Sequence, residues 1–173
     1  VGAMRAAIQL ADRLDSEAVL AMHERLGGGD DPDNAGKYRD QWVWVGGDSP
    51  VTAAFVAPQH EAIEAAVADL VAFLRRADVE PLTHAAIAHA QFETIHPFTD
   101  GNGRTGRALV SAVLRHRRVA TRMSVPISAG LLTDTDAYFR ALTKYRQGDP
   151  GPIVEQFAHA AERAIQNSAL LHE

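Results

Sequence analysis

The sequence predicts an all-α fold carrying one β-hairpin, and three observations carry that expectation. Apolar residues recur at helical spacing along most of the chain, as in Ile63, Val67, Leu70 and Leu74 at i, i+4, i+7 and i+11. Strand-like text occurs in one place, where Trp42-Val43-Trp44-Val45 and Val51-Thr52-Ala53-Ala54-Phe55-Val56 flank Gly46-Gly47-Asp48-Ser49-Pro50. The regular alternation of strands and helices that builds a parallel sheet is absent. With 173 residues, 46% hydrophobic and 23% charged, residues 1–173 read as a single ordinary globular domain.

Taken in order, residues 5–26 place Ile8, Leu10, Leu14, Val19, Leu20, Met22 and Leu26 at positions suited to one or two helices, with Ser16 as an N-cap for the second. Val1-Gly2-Ala3 ahead of Met4 reads as a cloning remnant, so a natural N-terminal segment is expected to be missing. Gly27 to Gly36, rich in Gly and Asp, reads as an exposed loop. In the hairpin Trp42 and Trp44 share one face and Val43 and Val45 the other, with packing expected for the tryptophans; Pro58 ends it. A helix over 59–76 follows, then a break at Glu80-Pro81 and a helix over 82–95 with Ala85, Ala88, Phe92 and Ile95 on one face. The helix over 104–117 is apolar nearly all round in its first half and is expected to be central and buried. Another begins near Thr133-Asp134-Thr135 with Tyr138, Leu142 and Tyr145 on one stripe. After Gly148-Asp149-Pro150-Gly151 a last helix turns Ile153, Phe157, Ala161 and Ala164 inward.

Charge and composition narrow the function classes. A net charge of −5 argues against nucleic acid as the main partner. The basic run Arg115-His116-Arg117-Arg118 reads as a solvated helix end offsetting the C-terminal dipole. Absence of cysteine excludes disulfides and thiolate zinc sites and suits a cytoplasmic location. No apolar run approaches the roughly 20 residues of a membrane span, and no secretory leader is visible, so no membrane partner is expected.

The chemistry concentrates in Ile95-His96-Pro97-Phe98-Thr99-Asp100-Gly101-Asn102-Gly103-Arg104-Thr105-Gly106-Arg107. Glycines at a helix start leave backbone N–H groups exposed where the helix dipole is positive, which suits phosphate. Arg104 and Arg107, three apart, can lean toward the same anion. Asp100 would repel that anion unless a cation such as Mg²⁺ sat between them; helix capping is its plainer role. His96 can take a proton near neutral pH, and Phe98 reads as a core anchor for the loop.

Two rival motifs fit less well. Gly101-Asn102-Gly103-Arg104-Thr105-Gly106 spells G-x-G-x-x-G, but that fingerprint needs a preceding parallel strand, and helical text precedes it here. His89, Glu93 and His96 share one helical face, and Glu93-Thr94-Ile95-His96 spells the E-x-x-H element of di-iron bundles. No second copy exists, so His89 reads as a helix histidine with a local partner and Glu93 either as a residue supporting the site from behind or as a structural one.

The stretch His96 to Arg107 resembles the signature of Fic-domain proteins, H-x-F-x-(D/E)-G-N-G-R-x-x-R, at every fixed position. Ala88 to Ile95, Gly36-Lys37-Tyr38-Arg39 and Trp44-Val45-Gly46-Gly47 resemble the family as well, so the likeness runs from about Ala35 to Ala160. The resemblance implies a protein adenylyltransferase that moves AMP from ATP, with Mg²⁺, onto a Ser, Thr or Tyr hydroxyl of a target protein and releases pyrophosphate. It implies His96 as general base, Asp100 as metal ligand, and Gly101, Asn102 (amide and side chain), Gly103, Arg104 and Arg107 as the phosphate cradle. The hairpin would be a flap whose edge pairs with an extended target segment. A related nucleotidyl- or phosphotransferase, or a non-catalytic nucleotide-binding module, is the alternative on the same loop. Many Fic proteins carry an inhibitory helix with (S/T)-x-x-x-E-(G/N), and no Ser or Thr here begins that pattern; Ser168 has His172 four positions on. The brake is therefore expected on a missing segment or an antitoxin-like partner, and this chain is expected to be uninhibited.

Overall fold

A computed structural model describes residues 13–27, 31–119 and 127–170. The expectations for residues 1–12 and for His172 lie outside them. The described chain runs α1 (Ser16–Gly27), β1 (Trp44–Val45), β2 (Phe55–Val56), α2 (Ile63–Leu74), α3 (Pro81–Ile95), α4 (Asn102–His116), α5 (Ile127–Leu131), α6 (Thr135–Arg146) and α7 (Gly151–Leu170). The fold is all-α with one antiparallel hairpin.

Helix α3 is the one the others enclose: it packs against α2, α4, α6 and α7. Its small residues Ala85, Ala86, Ala88 and Ala90 are all buried, and short side chains let four neighbours approach. Glu80 starts it by accepting from the N–H groups of Leu82 and Thr83 at 3.0 and 2.8 Å, with Pro81 at the first position where no N–H is needed. The expectation of a central α4 is corrected in part. Its residues Ala108, Leu109, Val110, Ala112, Val113 and Leu114 are buried, but it packs mainly on α3 and α1. The apolar stripes of α2 and α7 face the core as their spacing requires.

Other expectations are corrected. Asp15, not Ser16, caps α1, accepting from the Ala18 N–H at 2.8 Å. Each strand is two residues long, paired Trp44 with Val56 and Val45 with Phe55. Gly46 and Gly47 have φ of 71° and 70°, and Thr52 Oγ1 accepts from the N–H groups of Asp48 and Ser49, so a broad turn replaces the text read as strand. Trp42 and Trp44 are exposed, on a sheet that among the described residues has two strands alone. Within the basic helix end Arg117 is only half-exposed and does more than offset the dipole. It donates to the carbonyls of Arg76, Ala77 and Val79 and to His84 Nδ1, closing the α2–α3 connection. Helix α5 was not expected; Ile127 and Leu131 are buried, and Gly130 lies so close to α7 that a Cβ there would stand 2.8 Å from that of Ala160. Among the described residues no helix is long and apolar enough to cross a membrane.

Candidate active site

The loop 96–101 joins the C-terminus of α3 to the N-terminus of α4, the two helices most closely packed on each other. His96 ends α3 in the left-handed region, φ 48° and ψ 61°, with its N–H still bonded to the Phe92 carbonyl at 2.9 Å. That conformation costs a non-glycine residue roughly 1–2 kcal/mol, so neighbouring bonds must hold it. Arg39 supplies them. Its Nε–H donates to the His96 carbonyl at 2.8 Å, and its backbone N–H to the Pro97 carbonyl at 2.9 Å. The same buried guanidinium donates to the carbonyls of Gln41 at 2.8 Å and Pro58 at 2.6 Å, tying the base of the hairpin to the loop.

The rest of the loop is fixed just as closely. Phe98 is fully buried beneath the His23 ring, stacked at 3.7 Å with 5° between planes. His23 Nδ1 accepts from the Gly36 N–H at 3.0 Å, so its Nε2–H donates to the Asp100 carbonyl at 3.0 Å. Thr105 Oγ1 donates to the Gly101 carbonyl at 3.0 Å, and Thr99 Oγ1 to Asp31 at 3.2 Å. Asn102 accepts from the Phe98 N–H at 3.0 Å and donates to its carbonyl at 2.8 Å. This corrects the expectation that the Asn102 side chain faces phosphate: it is buried and shapes the loop, leaving its backbone amide for an anion.

Gly101, at φ 74°, brings the chain into α4, and no side chain caps that helix. Asp100 is therefore not a cap. The first-turn amides, including those of Asn102 and Gly103, keep their donor capacity for an anion. Arg107 folds back over this turn: a Cβ on Gly103 would stand 3.1 Å from Arg107 Nη1. Arg104 donates to Asp100 at 3.2 Å across an exposed pair, 38% and 63% accessible, a contact that a ligand can exchange at little cost. One accessible carboxylate beside the open first-turn amides is the kind of group that can hold Mg²⁺, which takes few protein ligands. Among the described residues no group of three or more His, Cys, Asp or Glu side chains is placed to hold a metal ion.

Behind the loop lies a buried polar cluster. Burial pushes the Glu93 carboxyl up to about 7, against the pull of Arg107 and Arg146. Burial likewise lowers His96 to about 4, opposed by the Glu93 backbone and assisted by Arg39 and Arg146. His96 is thus neutral at physiological pH, the form that accepts a proton. His89 is lowered to about 4 by burial, and its Nε2 meets the Tyr138 hydroxyl at 2.8 Å, the local partner expected for it. Arg146 lies over the Phe55 ring of β2 at 3.5 Å.

Residues 13–114 match the model of the Fic/DOC family. The chain belongs to that family. It is 32% identical over 158 residues to protein adenylyltransferase fic-1 of Caenorhabditis elegans, covering 90% of this chain and 28% of that one. It is 31% identical over 161 residues to protein adenylyltransferase Fic of Nematostella vectensis, covering 91% and 35%. The crystal structure of a Fic family protein from Desulfovibrio desulfuricans G20 superposes with a TM-score of 0.79 at 28% identity, covering 98% of this chain and 52% of that one. The chain spans about a third or less of the length of these two named adenylyltransferases. Arg39 and His23, which hold the Fic loop in shape, went unassigned in the sequence. Arg39 stands in a stretch that resembles the family; His23 lies on a helix with no spacing signal of its own.

Proposed function

We propose that this Fic domain transfers AMP from ATP to a Ser, Thr or Tyr hydroxyl of a target protein. One juxtaposition carries the reading: a neutral imidazole at the end of α3 and the uncapped first turn of α4, with two arginines, on a loop whose shape is fixed from both sides. Relatives named as protein adenylyltransferases support it.

His96 would accept the proton of the acceptor hydroxyl as its oxygen attacks the α-phosphorus, a contribution of about 10²–10⁴-fold. The bond from that phosphorus to the bridging oxygen breaks, and pyrophosphate leaves. The amides of Gly101, Asn102 and Gly103 would hold the phosphates, with Arg104 and Arg107 balancing the charge that grows on the leaving group. The Asp100 carboxylate would hold Mg²⁺, whose chemistry there is charge withdrawal from the leaving pyrophosphate. The exposed edge of the short hairpin, anchored through Arg39 to the loop, would align an extended target segment. The test is incubation with Mg²⁺ and ATP labelled at either the α- or the γ-phosphate. Label from the α-position on protein supports adenylyl transfer; γ-label means phosphotransfer, and neither label a binding module.

A further inference from the structure

We infer that Glu93 is a positioning residue for His96, accepting from Nδ1–H so that Nε2 is left as the proton acceptor. The inference rests on the adenylyl-transfer reading for its consequence, but not for its geometry. Glu93 Oε2 is 3.8 Å from His96 Nδ1, and the two side chains are only 9% and 16% exposed. Both His96 Nδ1 and Glu93 Oε1 are buried without a hydrogen-bond partner. Buried polar atoms rarely stay orphaned. The orphaned Oε1 faces Gly106, while a shift of under an ångström would bring Oε2 within hydrogen-bond reach of Nδ1, where the Glu93 backbone carbonyl is the competing acceptor.

The surroundings are built to admit the carboxylate. Gly106 faces it from α4, and a Cβ there would stand 2.6 Å from Glu93 Oε1. The other charged or titratable groups bearing on Glu93 are His89 beside it on α3, Arg107 from α4, and Tyr138 and Arg146 from α6. Arg39 and Arg146 bear on His96 itself. Two cations favour the carboxylate while burial opposes it, which leaves Glu93 poised near 7. Ionised, Glu93 accepts from Nδ1–H and selects the reactive tautomer. Protonated, it presents a donor and selects the other, with the proton on Nε2.

Two variants separate the possibilities. Glu93→Leu removes the acceptor, whereas Glu93→Gln keeps an oxygen but cannot ionise. The wild-type rate of transfer should rise with pH around 7. Glu93→Leu should lower kcat at least 10-fold with the KM for ATP unchanged, and Glu93→Gln should keep more of kcat but lose the step near pH 7. Independently of any transfer, ¹⁵N NMR of the His96 ring in the nucleotide-free chain reads the tautomer. The wild type should carry its proton on Nδ1 above pH 7, and Glu93→Leu should lose that bias while thermal unfolding shows the variant folded. Unchanged ring shifts in folded Glu93→Leu would overturn the positioning role, whatever the activity. A tautomer change in a chain that transfers no α-label would retain the pairing and reject the adenylyl-transfer reading instead.

Discussion

Replacing Arg39 with Met keeps the aliphatic stem and deletes the guanidinium. Three short bonds disappear, to the carbonyls of His96, Gln41 and Pro58 at 2.8, 2.8 and 2.6 Å, and a longer one to Ile95 at 3.4 Å. Bonds from a charged donor contribute about 1.5–3 kcal/mol each. Removing a cation that is only 4% exposed returns several kcal/mol of desolvation. The net loss is about 2–4 kcal/mol, and it falls where the left-handed turn at His96 needs support. Urea unfolding should therefore show a lower midpoint with an unchanged m-value. Arg39→Lys should recover only part of the loss, since an ammonium lacks the planar fork that reaches three separate carbonyls. A change below about 0.5 kcal/mol in Arg39→Met would refute the view that this clamp fixes the loop.

Four other outcomes follow from the same geometry. Gly106→Ala should destabilise by about 1–3 kcal/mol in thermal unfolding, because its Cβ would meet Glu93 Oε1 at 2.6 Å; Gly106→Ala combined with Glu93→Ala should recover part of that. The folded-state lowering of His89 from 6.5 to about 4 adds stability that is present above pH 6.5 and lost as pH falls toward 4, about 3 kcal/mol. Glu93, raised to about 7, acts with the opposite sign and gains on acidification, so Glu93→Leu should lose Tm more steeply than wild type between pH 7 and 4. Arg107→Ala should raise the KM for ATP and lower kcat/KM for adenylyl transfer, with the loop fold unchanged by circular dichroism, since Arg107 folds back over the first turn of α4.

Much of this was legible in the sequence because it rests on short-range rules. The spacing of Ile63, Val67, Leu70 and Leu74 fixed a buried face without knowledge of what it meets. The run from His96 to Arg107 is contiguous, so its chemistry could be read without a fold. What stayed hidden depends on contacts between distant residues. Nothing local to Arg39 shows that its guanidinium spans the carbonyls of His96 and Pro58, and nothing local to His23 shows that it lies on Phe98. Asn102 reads equally well as a phosphate ligand or a loop brace until the Phe98 backbone is seen to occupy both ends of its amide. The tryptophans misled for a similar reason: alternation assigns Trp42 and Trp44 a common face, but only the tertiary structure shows that both stay exposed.

The most direct test sets nucleotide binding against transfer in His96→Ala. With ATP and Mg²⁺, calorimetry should give nearly wild-type affinity, because the proposed phosphate cradle is the first turn of α4 with Arg104 and Arg107, not His96. Intact-mass analysis of target or self-modified protein should then find no adenylyl group. Full transfer by His96→Ala would contradict the assignment of the imidazole as the group that takes the acceptor's proton.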